Sequence, residues 1–511
     1  MNISIVVDHW ARYQPEREAL VCGDNRITYN ELRQRVNKLA NGLISLGLRP
    51  NDKVALLMDN CNQVMELQLA LSKAGAWVVP LNFRYTAGQV RFFVQHSKAG
   101  FVVYHDYLEE RLAEVDSGAL APGGLICLGG GKRSGRLDYE EIIASGSADE
   151  PENAADLADI QAIMYTSGST GQPKGAMLSH GNWLWNAMGF NLVLSPQALR
   201  SAVVAVPMFH TAGLHCVALP VLLAGGRVVI LPLRGGFQAA DLAAAISREK
   251  VTYTYLAPEM WILLSRLPNA AEYDFSSLEC CLGAGGLLPP KAHEKLARDF
   301  GVNVMMSYGL TEAAPIVMIA TPEHKDRNPD TVGRPIFFPE VRLVDDRDAD
   351  VPVGAAGECV IRGPNVCHGY YKADELNSEV MRGGWLHTGD ILRRDDDGLY
   401  YFAGRKKDMI KSGGENIFAA EVEEVLNRNP KIMESAVIGV PHAKWGEGVM
   451  ALIVVRQGES LSESEVVAYC KEAMAGYKRP QVIEMVKDIP KLATGKVDKV
   501  SIRKQYGALY R

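Results

Sequence analysis

The densest chemistry in the sequence lies in one unbroken string, Tyr165-Thr166-Ser167-Gly168-Ser169-Thr170-Gly171-Gln172-Pro173-Lys174-Gly175. Its residue types suit a phosphate. Glycines let the backbone turn tightly and aim its amides at anionic oxygens; hydroxyls add donors, and Lys174 adds a positive charge. The preceding run Ala162-Ile163-Met164-Tyr165 reads as a strand, so the loop is expected to leave a sheet. A Walker A loop is excluded, because that pattern needs Gly directly before its lysine and Pro173 stands there. By composition alone the stretch could equally be a flexible surface turn; the whole string is the more specific signal.

Such a loop needs a rigid frame, and the flanking sequence predicts one. Thr28-Tyr29-Asn30-Glu31 is a capping box, in which hydroxyl and carboxylate satisfy the backbone donors of a helix start. Leu32, Val36, Leu39 and Leu43 follow at helical spacing, and Gly47 can end that helix. Residues 54–58, 77–81 and 101–105 read as buried strands, and 63–74 and 86–97 as helices. Short apolar strands alternating with amphipathic helices imply parallel sheets covered by helices. Residues 106–153, richer in Gly, Ala and Ser, read as connecting structure. Beyond residue 332 short strands alternate with Gly, Pro and Asp turns, among them Asp395-Asp396-Asp397-Gly398. The last unit holds helices near 420–427 and 463–474 and strands near 436–439 and 449–455. The expected fold is α/β: a large N-terminal domain of stacked α/β sheets over 1–404, with a β-rich subdomain at about 332–402. A hinge at 405–408 leads to a smaller, mobile α+β C-terminal lid at 409–511.

At 511 residues, 47% hydrophobic and 22% charged, the chain is long enough for several subdomains and too apolar for disorder. A formal net charge of -6 argues against nucleic acid as a partner, since phosphate backbones need a basic face. The nine cysteines form no Cys-x-x-Cys pair, and the adjacent Cys280 and Cys281 lack further ligands at metal spacing. They read as reduced thiols of a cytoplasmic enzyme rather than a disulfide framework or zinc site. Met1-Asn2-Ile3-Ser4 does not open a signal peptide. The most apolar stretch, 201–233, is broken by Pro207, His210, Gly213, His215, Pro220 and Arg227, so no transmembrane segment is expected. A homodimer is compatible with these features.

Four more strings follow in order: Ser307-Tyr308-Gly309-Leu310-Thr311-Glu312, Trp385-Leu386-His387-Thr388-Gly389-Asp390, Gly404-Arg405-Lys406-Lys407-Asp408-Met409-Ile410 and Pro490-Lys491-Leu492-Ala493-Thr494-Gly495-Lys496. With the loop, they resemble the motifs of the adenylate-forming superfamily: acyl-CoA synthetases, the adenylation domains of peptide synthetases, and luciferases. The resemblance covers essentially the whole chain. It implies that Thr166, Ser167, Gly168, Ser169, Thr170, Gly171 and Lys174 bind the nucleotide, with Tyr308 and Gly309 near adenine and Thr311 on the α-phosphate. Glu312 is similar to the family's magnesium ligand, a hard oxygen donor beside the phosphates. Asp390 resembles the acceptor of the ribose hydroxyls, and Arg405 a second nucleotide contact. Attack of a carboxylate on the α-phosphate crowds negative charge, and the resemblance gives Lys496 the task of offsetting it. Out of context, Asp390 would be a turn residue, Arg405 a linker charge, Tyr308 core and Lys496 a surface lysine. Lys407 stands at the family's hinge position, where many relatives carry Asp. The C-terminal domain is then expected to swing there, one pose delivering Lys496 to a cleft between the domains and another exposing a thiol tunnel.

Pro207-Met208-Phe209-His210-Thr211-Ala212-Gly213 separates subfamilies. Amino-acid-activating relatives place Asp after the Phe to hold an ammonium; His210 instead can lie against an acyl carboxylate or close the pocket. Ser412-Gly413-Gly414-Glu415-Asn416 resembles the loop lining a pantetheine tunnel, and Trp445, Tyr477, Lys478 and Arg479 are similar to positions near the coenzyme A nucleotide. The implied function is an ATP- and Mg2+-dependent acid–CoA ligase with carboxylic acid, ATP and CoA as small-molecule partners. A carrier-loading adenylation enzyme and a non-catalytic nucleotide sensor of the same fold are the alternatives. The acyl pocket is expected among residues 183–190, 210–213, 283–287 and 310–317, segments without Lys or Arg. A hydrophobic monocarboxylate follows, medium or long fatty acids first and aromatic or alicyclic acids next. Gly283-Ala284-Gly285-Gly286-Leu287 either leaves room for a long chain or ring or is a plain backbone turn.

Overall fold

The Thr28 hydroxyl accepts the Glu31 N–H (3.2 Å) while the Glu31 carboxylate accepts the Thr28 N–H (2.8 Å), and helix Tyr29–Ser45 starts there. Leu32, Val36, Leu39 and Leu43 of that helix are fully buried on one face. Thr28→Ala removes the cap and is expected to lower unfolding free energy by about 1 kcal/mol, read as a shifted denaturant midpoint with nucleotide affinity unchanged.

The computed structural model describes residues 1–130, 135–152, 155–166, 173–286, 288–413, 415–491 and 497–507. They form two compact units, the first from residues 1–166, 173–341 and 361–386, the second from 342–360 and 387–507.

Two sheets build the first unit. Strands Lys53–Leu57, Trp77–Leu81, Phe101–His105 and Leu125–Leu128 pair in parallel, and the antiparallel hairpin of Ile160–Thr166 and Lys174–Ser179 borders them. The other sheet carries Arg227–Ile230, Ser201–Val204, Tyr253–Leu256, Cys280–Ala284 and Val304–Gly309 as parallel neighbours. Both faces of each sheet are covered, which is why the strands read as unbroken apolar runs. Val54 and Leu56 face a central helical layer while Ala55 and Leu57 face helix Ala87–Ser97. Val204 and Val228 face the same central layer, and Val203 and Val229 face helices Ala239–Glu249 and Pro258–Ser265. The expected stacked α/β sheets are therefore present.

One difference lies in residues 106–153, which contain a strand, Leu125–Leu128, and a helix, Tyr139–Ser145. Asp138 caps that helix through the N–H groups of Glu140 (2.9 Å) and Glu141 (3.1 Å), and Tyr139, Ile142 and Ile143 are buried. Gly146 lets it lie close: a Cβ there would meet Lys38 O of the helix Tyr29–Ser45 at 1.9 Å.

In the second unit, strands Ala356–Arg362, Leu386–Arg394 and Tyr400–Arg405 form part of a small sheet. The hairpin Ile432–His442 and Gly446–Val455 anchors a second sheet, packed with helices Ala419–Asn427, Glu463–Ala473 and Lys499–Tyr506. No helix among the described residues is long and apolar enough to cross a membrane.

Candidate active site

In the first unit the sheet topology sets the site. Parallel strands Ser201–Val204, Tyr253–Leu256, Cys280–Ala284 and Val304–Gly309 run side by side in one direction, so the segments after them gather at the carboxyl ends of the strands, where open α/β sheets bind ligands. His210, Gly285 and the Thr311–Glu312 turn follow three of those ends.

The turn after Val304–Gly309 is tightly held. Leu310 N–H donates to Pro315 O (2.9 Å), and a Cβ on Gly309 would meet that oxygen at 2.0 Å. Two buried asparagines clamp it: Asn186 donates to Ala313 O (3.2 Å) and Ile316 O (2.6 Å), and Asn365 to Ala313 O (2.8 Å). Thr311 and Glu312 are thereby fixed and buried, and Tyr308 is buried in the strand before them.

Tyr370 joins this turn to the phosphate loop. Its hydroxyl donates to Glu312 Oε1 (2.7 Å), and Lys174 Nζ lies 5.4 Å from its ring centroid. Burial, then the Glu312 charge, push its phenol well above the ordinary tyrosine range, so it stays a donor. Strand Lys174–Ser179 is zipped to this segment: Tyr371 N–H donates to Gly175 O and Met177 N–H to Gly369 O (2.8 and 2.9 Å). Thr166 and Lys174 are register partners, with the Thr166 hydroxyl 3.4 Å from Lys174 O. Ser167, Gly168, Ser169, Thr170 and Gly171, the rest of the predicted cradle, lie outside the described residues.

Among the described residues no three His, Cys, Asp or Glu side chains gather as a metal cluster. Glu312, with one oxygen given to Tyr370, fits a Mg2+ ion that arrives with phosphate oxygens as its other ligands.

His210 is exposed, and its Nδ1 accepts the Ala212 N–H (3.3 Å) as the chain enters a π-helical turn, Ala212–Ala218. At the strand end, Gly283 packs under Met306 and Trp261: a Cβ there would lie 3.2 Å from Met306 Sδ and 3.4 Å from Trp261 Nε1. Gly285 has φ +90 with open space beside it. Leu287 lies outside the described residues.

In the second unit Asp390 and Arg405 are cross-strand partners, with Arg405 Nε 3.2 Å from Asp390 Oδ1. Asp390 is buried, and its N–H donates to the Thr388 hydroxyl (3.1 Å). Beneath them sits buried Glu358, which accepts the Gly389 N–H (3.2 Å) and the Lys406 ammonium (3.1 Å). One carboxylate thus ties the Asp390 loop to the predicted hinge. Lys407 is exposed, and partial desolvation of its ammonium lowers its pKa.

Gly413 takes φ +61, and its N–H donates to Trp445 O (2.9 Å). Trp445 stacks on His442, with centroids 4.3 Å apart, and is partly exposed. Tyr477, Lys478 and Arg479 stand elsewhere, on the turn after helix Glu463–Ala473. Lys478 pairs with Glu421, and the Arg479 guanidinium caps the helix through Lys471 O and Met474 O (both 3.2 Å). Gly414 and Lys496 lie outside the described residues.

Residues 7–371 match the family model described as AMP-binding enzyme, and 421–496 that of the AMP-binding enzyme C-terminal domain. The chain belongs to the AMP-binding enzyme family. It is 37% identical to a feruloyl-CoA synthase of Amycolatopsis over 97% of both chains. It is 32% identical to an indoleacetate–CoA ligase of Aromatoleum aromaticum over 98% of both. The anthranilate CoA ligase AuaEII, solved with anthranoyl-AMP, has the same fold at a TM-score of 0.89 and 27% identity, over 100% of this chain and 98% of that one. This AMP-binding enzyme is an acid–CoA ligase of the adenylate-forming superfamily.

Tyr370, Asn186, Asn365 and Glu358 of this AMP-binding enzyme escaped the sequence reading. Only Glu358 carried a signal, a charge at the head of the apolar run Cys359-Val360-Ile361.

Proposed function

We propose that this acid–CoA ligase activates a hydrophobic monocarboxylic acid in two steps. The carboxylate oxygen attacks the ATP α-phosphorus and expels pyrophosphate, giving an acyl-adenylate. The CoA thiol then attacks the acyl carbonyl and AMP leaves. The observation that carries this reading is the meeting of Lys174 and Glu312 at Tyr370: a cation for phosphate oxygens and a buried carboxylate held by a phenol. Thr311 contacts the α-phosphate, Tyr308 and Gly309 border adenine, and the Asp390–Arg405 pair receives the ribose. Lys496 offsets charge at the reacting phosphorus. Mg2+ at Glu312 would neutralise phosphate charge. Lys407 and its neighbours act as the hinge, between an N-terminal domain ending at residue 404 and a lid beginning at 409. His210 closes the acyl end. Gly413, Gly414 and Trp445 lie along CoA; Tyr477, Lys478 and Arg479 reach its nucleotide once Lys478 leaves Glu421. A cytoplasmic setting suits cysteines that form no Cys-x-x-Cys pair and a reaction fed by ATP and CoA.

For the acid, relatives named for feruloyl and indoleacetate substrates, and a structural neighbour holding anthranoyl-AMP, lead us to place ring-bearing acids first. Straight-chain fatty acids, first choice from sequence, come second. The absence of Lys and Arg from the expected pocket segments supports either.

The test is pyrophosphate release with ATP and Mg2+ across cinnamates, benzoates, indoleacetate and fatty acids of rising length, with and without CoA. Release with one class, joined by CoA-dependent AMP and thioester, is expected. Pyrophosphate without thioester would replace CoA with a carrier acceptor. ATP binding with no release from any acid would leave a nucleotide sensor.

A further inference from the structure

The π-helical turn Ala212–Ala218 continues from His210, since Leu214 N–H already donates to His210 O (3.5 Å). Such turns are rare and gather at functional sites. His215 lies within it, 4% exposed. Its ring lies flat on Trp183, with centroids 3.2 Å apart and planes 5° from parallel. Trp183 is fixed in turn: its Nε1–H donates to Gln161 Oε1 (3.1 Å), and Gln161 donates to Gln68 Oε1 (2.7 Å).

Neither ring nitrogen of His215 has a hydrogen-bond partner among the described residues. The Tyr253 hydroxyl donates to Cys216 O (2.7 Å), and Asn186 uses both ends of its amide, so neither turns to the ring. Burial drives the His215 imidazole well below the usual histidine range, so the ring is neutral, with one N–H to give and one lone pair to fill. A buried donor and acceptor left unmet on one ring is a cost that folds avoid, unless something outside the chain meets them.

We infer that His215 is a specificity residue that hydrogen-bonds a hydroxyl group on the acid, at the end remote from the carboxylate. The inference rests on the acid–CoA ligase reading of the same site. The remote end follows from position. His210 is exposed, and His215 is buried five residues on, about one turn along a π-helix. A hydroxyl both gives and accepts, as a neutral imidazole does, whereas a fatty acyl tail does neither. The flat Trp183–His215 pair suits a planar substrate, so the class is a ring-hydroxylated aromatic carboxylic acid.

The test compares kcat/KM for pyrophosphate release with cinnamate and its 2-, 3- and 4-hydroxy derivatives, in wild type, His215→Leu and His215→Gln. Wild type is expected to favour one hydroxylated isomer over cinnamate by about 10²-fold or more, because a site built for a hydroxyl rejects the analogue that lacks it. His215→Leu should bring that ratio toward one while raising the thermal midpoint. His215→Gln, which keeps a donor and an acceptor, should retain part of the ratio and covers the case in which the leucine variant fails to fold. Indifference of wild type to the hydroxyl at all three positions, or a ratio unmoved by either substitution, overturns the inference and leaves the ligase reading intact. Absence of pyrophosphate from every acid in the wider panel brings down the ligase reading first, and His215's role with it.

Discussion

Lys496→Ala is expected to lower acid-dependent pyrophosphate release by 10²–10³-fold or more, while conversion of a preformed acyl-adenylate and CoA into thioester proceeds at near the wild-type rate. The asymmetry follows from where charge develops. In the first step a carboxylate approaches a phosphorus already ringed by anionic oxygens, and a lysine aimed there is worth most at the transition state. Loss of one such donor typically costs that much. In the second step charge develops on the acyl oxygen and on the phosphate of the leaving AMP, but the proposed hinge swing takes Lys496 away from that site, so the ammonium is not called on. Stopped-flow measurement of each half-reaction separates the two. Equal losses in both steps would mean that Lys496 supports the fold or AMP binding generally. Unchanged pyrophosphate release would remove it from the chemistry.

The motifs were legible because their demands are local. A loop that must wrap phosphate needs glycines and hydroxyls in a row, and a capping box needs Thr28 three residues before Glu31; the latter closes as expected, at 2.8 and 3.2 Å. The frame was legible for a similar reason, since strands buried on both faces, such as Lys53–Leu57, leave apolar runs that polar turns interrupt. What escaped acts across long separations. Tyr370 reaches Glu312 over 58 residues, and Asn186 reaches Ile316 over 130. No spacing rule marks a tyrosine as the partner of a glutamate so far upstream; the pairing of strand Lys174–Ser179 with the segment at Gly369 and Tyr371, and the Cys367 N–H donated to Glu312 O (2.8 Å), bring them together. The strand Leu386–Arg394 was read as a motif and not as a strand. Gly389, at φ +70 inside it, and a register shift after Ile391 break the period-two pattern that identifies strands.

Asp390→Ala is expected to weaken ATP binding by about 10- to 100-fold, the loss of the equivalent of one hydrogen bond to a charged group, about 1.5–3 kcal/mol. Its setting favours a full effect. The carboxylate is buried, its backbone is anchored through Thr388 and Glu358, and Arg405 lies 3.2 Å from one of its oxygens. Arg405 is about half exposed at 47%, so water can solvate it once the partner is gone, and the substitution should not collapse the sheet. A general disturbance of the nucleotide site would nonetheless also weaken binding, so affinity alone does not identify the ribose contact. The deciding comparison uses 2′-deoxy- and 3′-deoxy-ATP. If Asp390 accepts from the ribose hydroxyls, wild type binds a deoxynucleotide less tightly than ATP, and Asp390→Ala binds the two alike. The coupling between side chain and hydroxyl then appears as non-additivity in the cycle. Calorimetry that finds equal penalties for the deoxynucleotide in both proteins would move the ribose to another residue and leave Asp390 as a strand partner of Arg405.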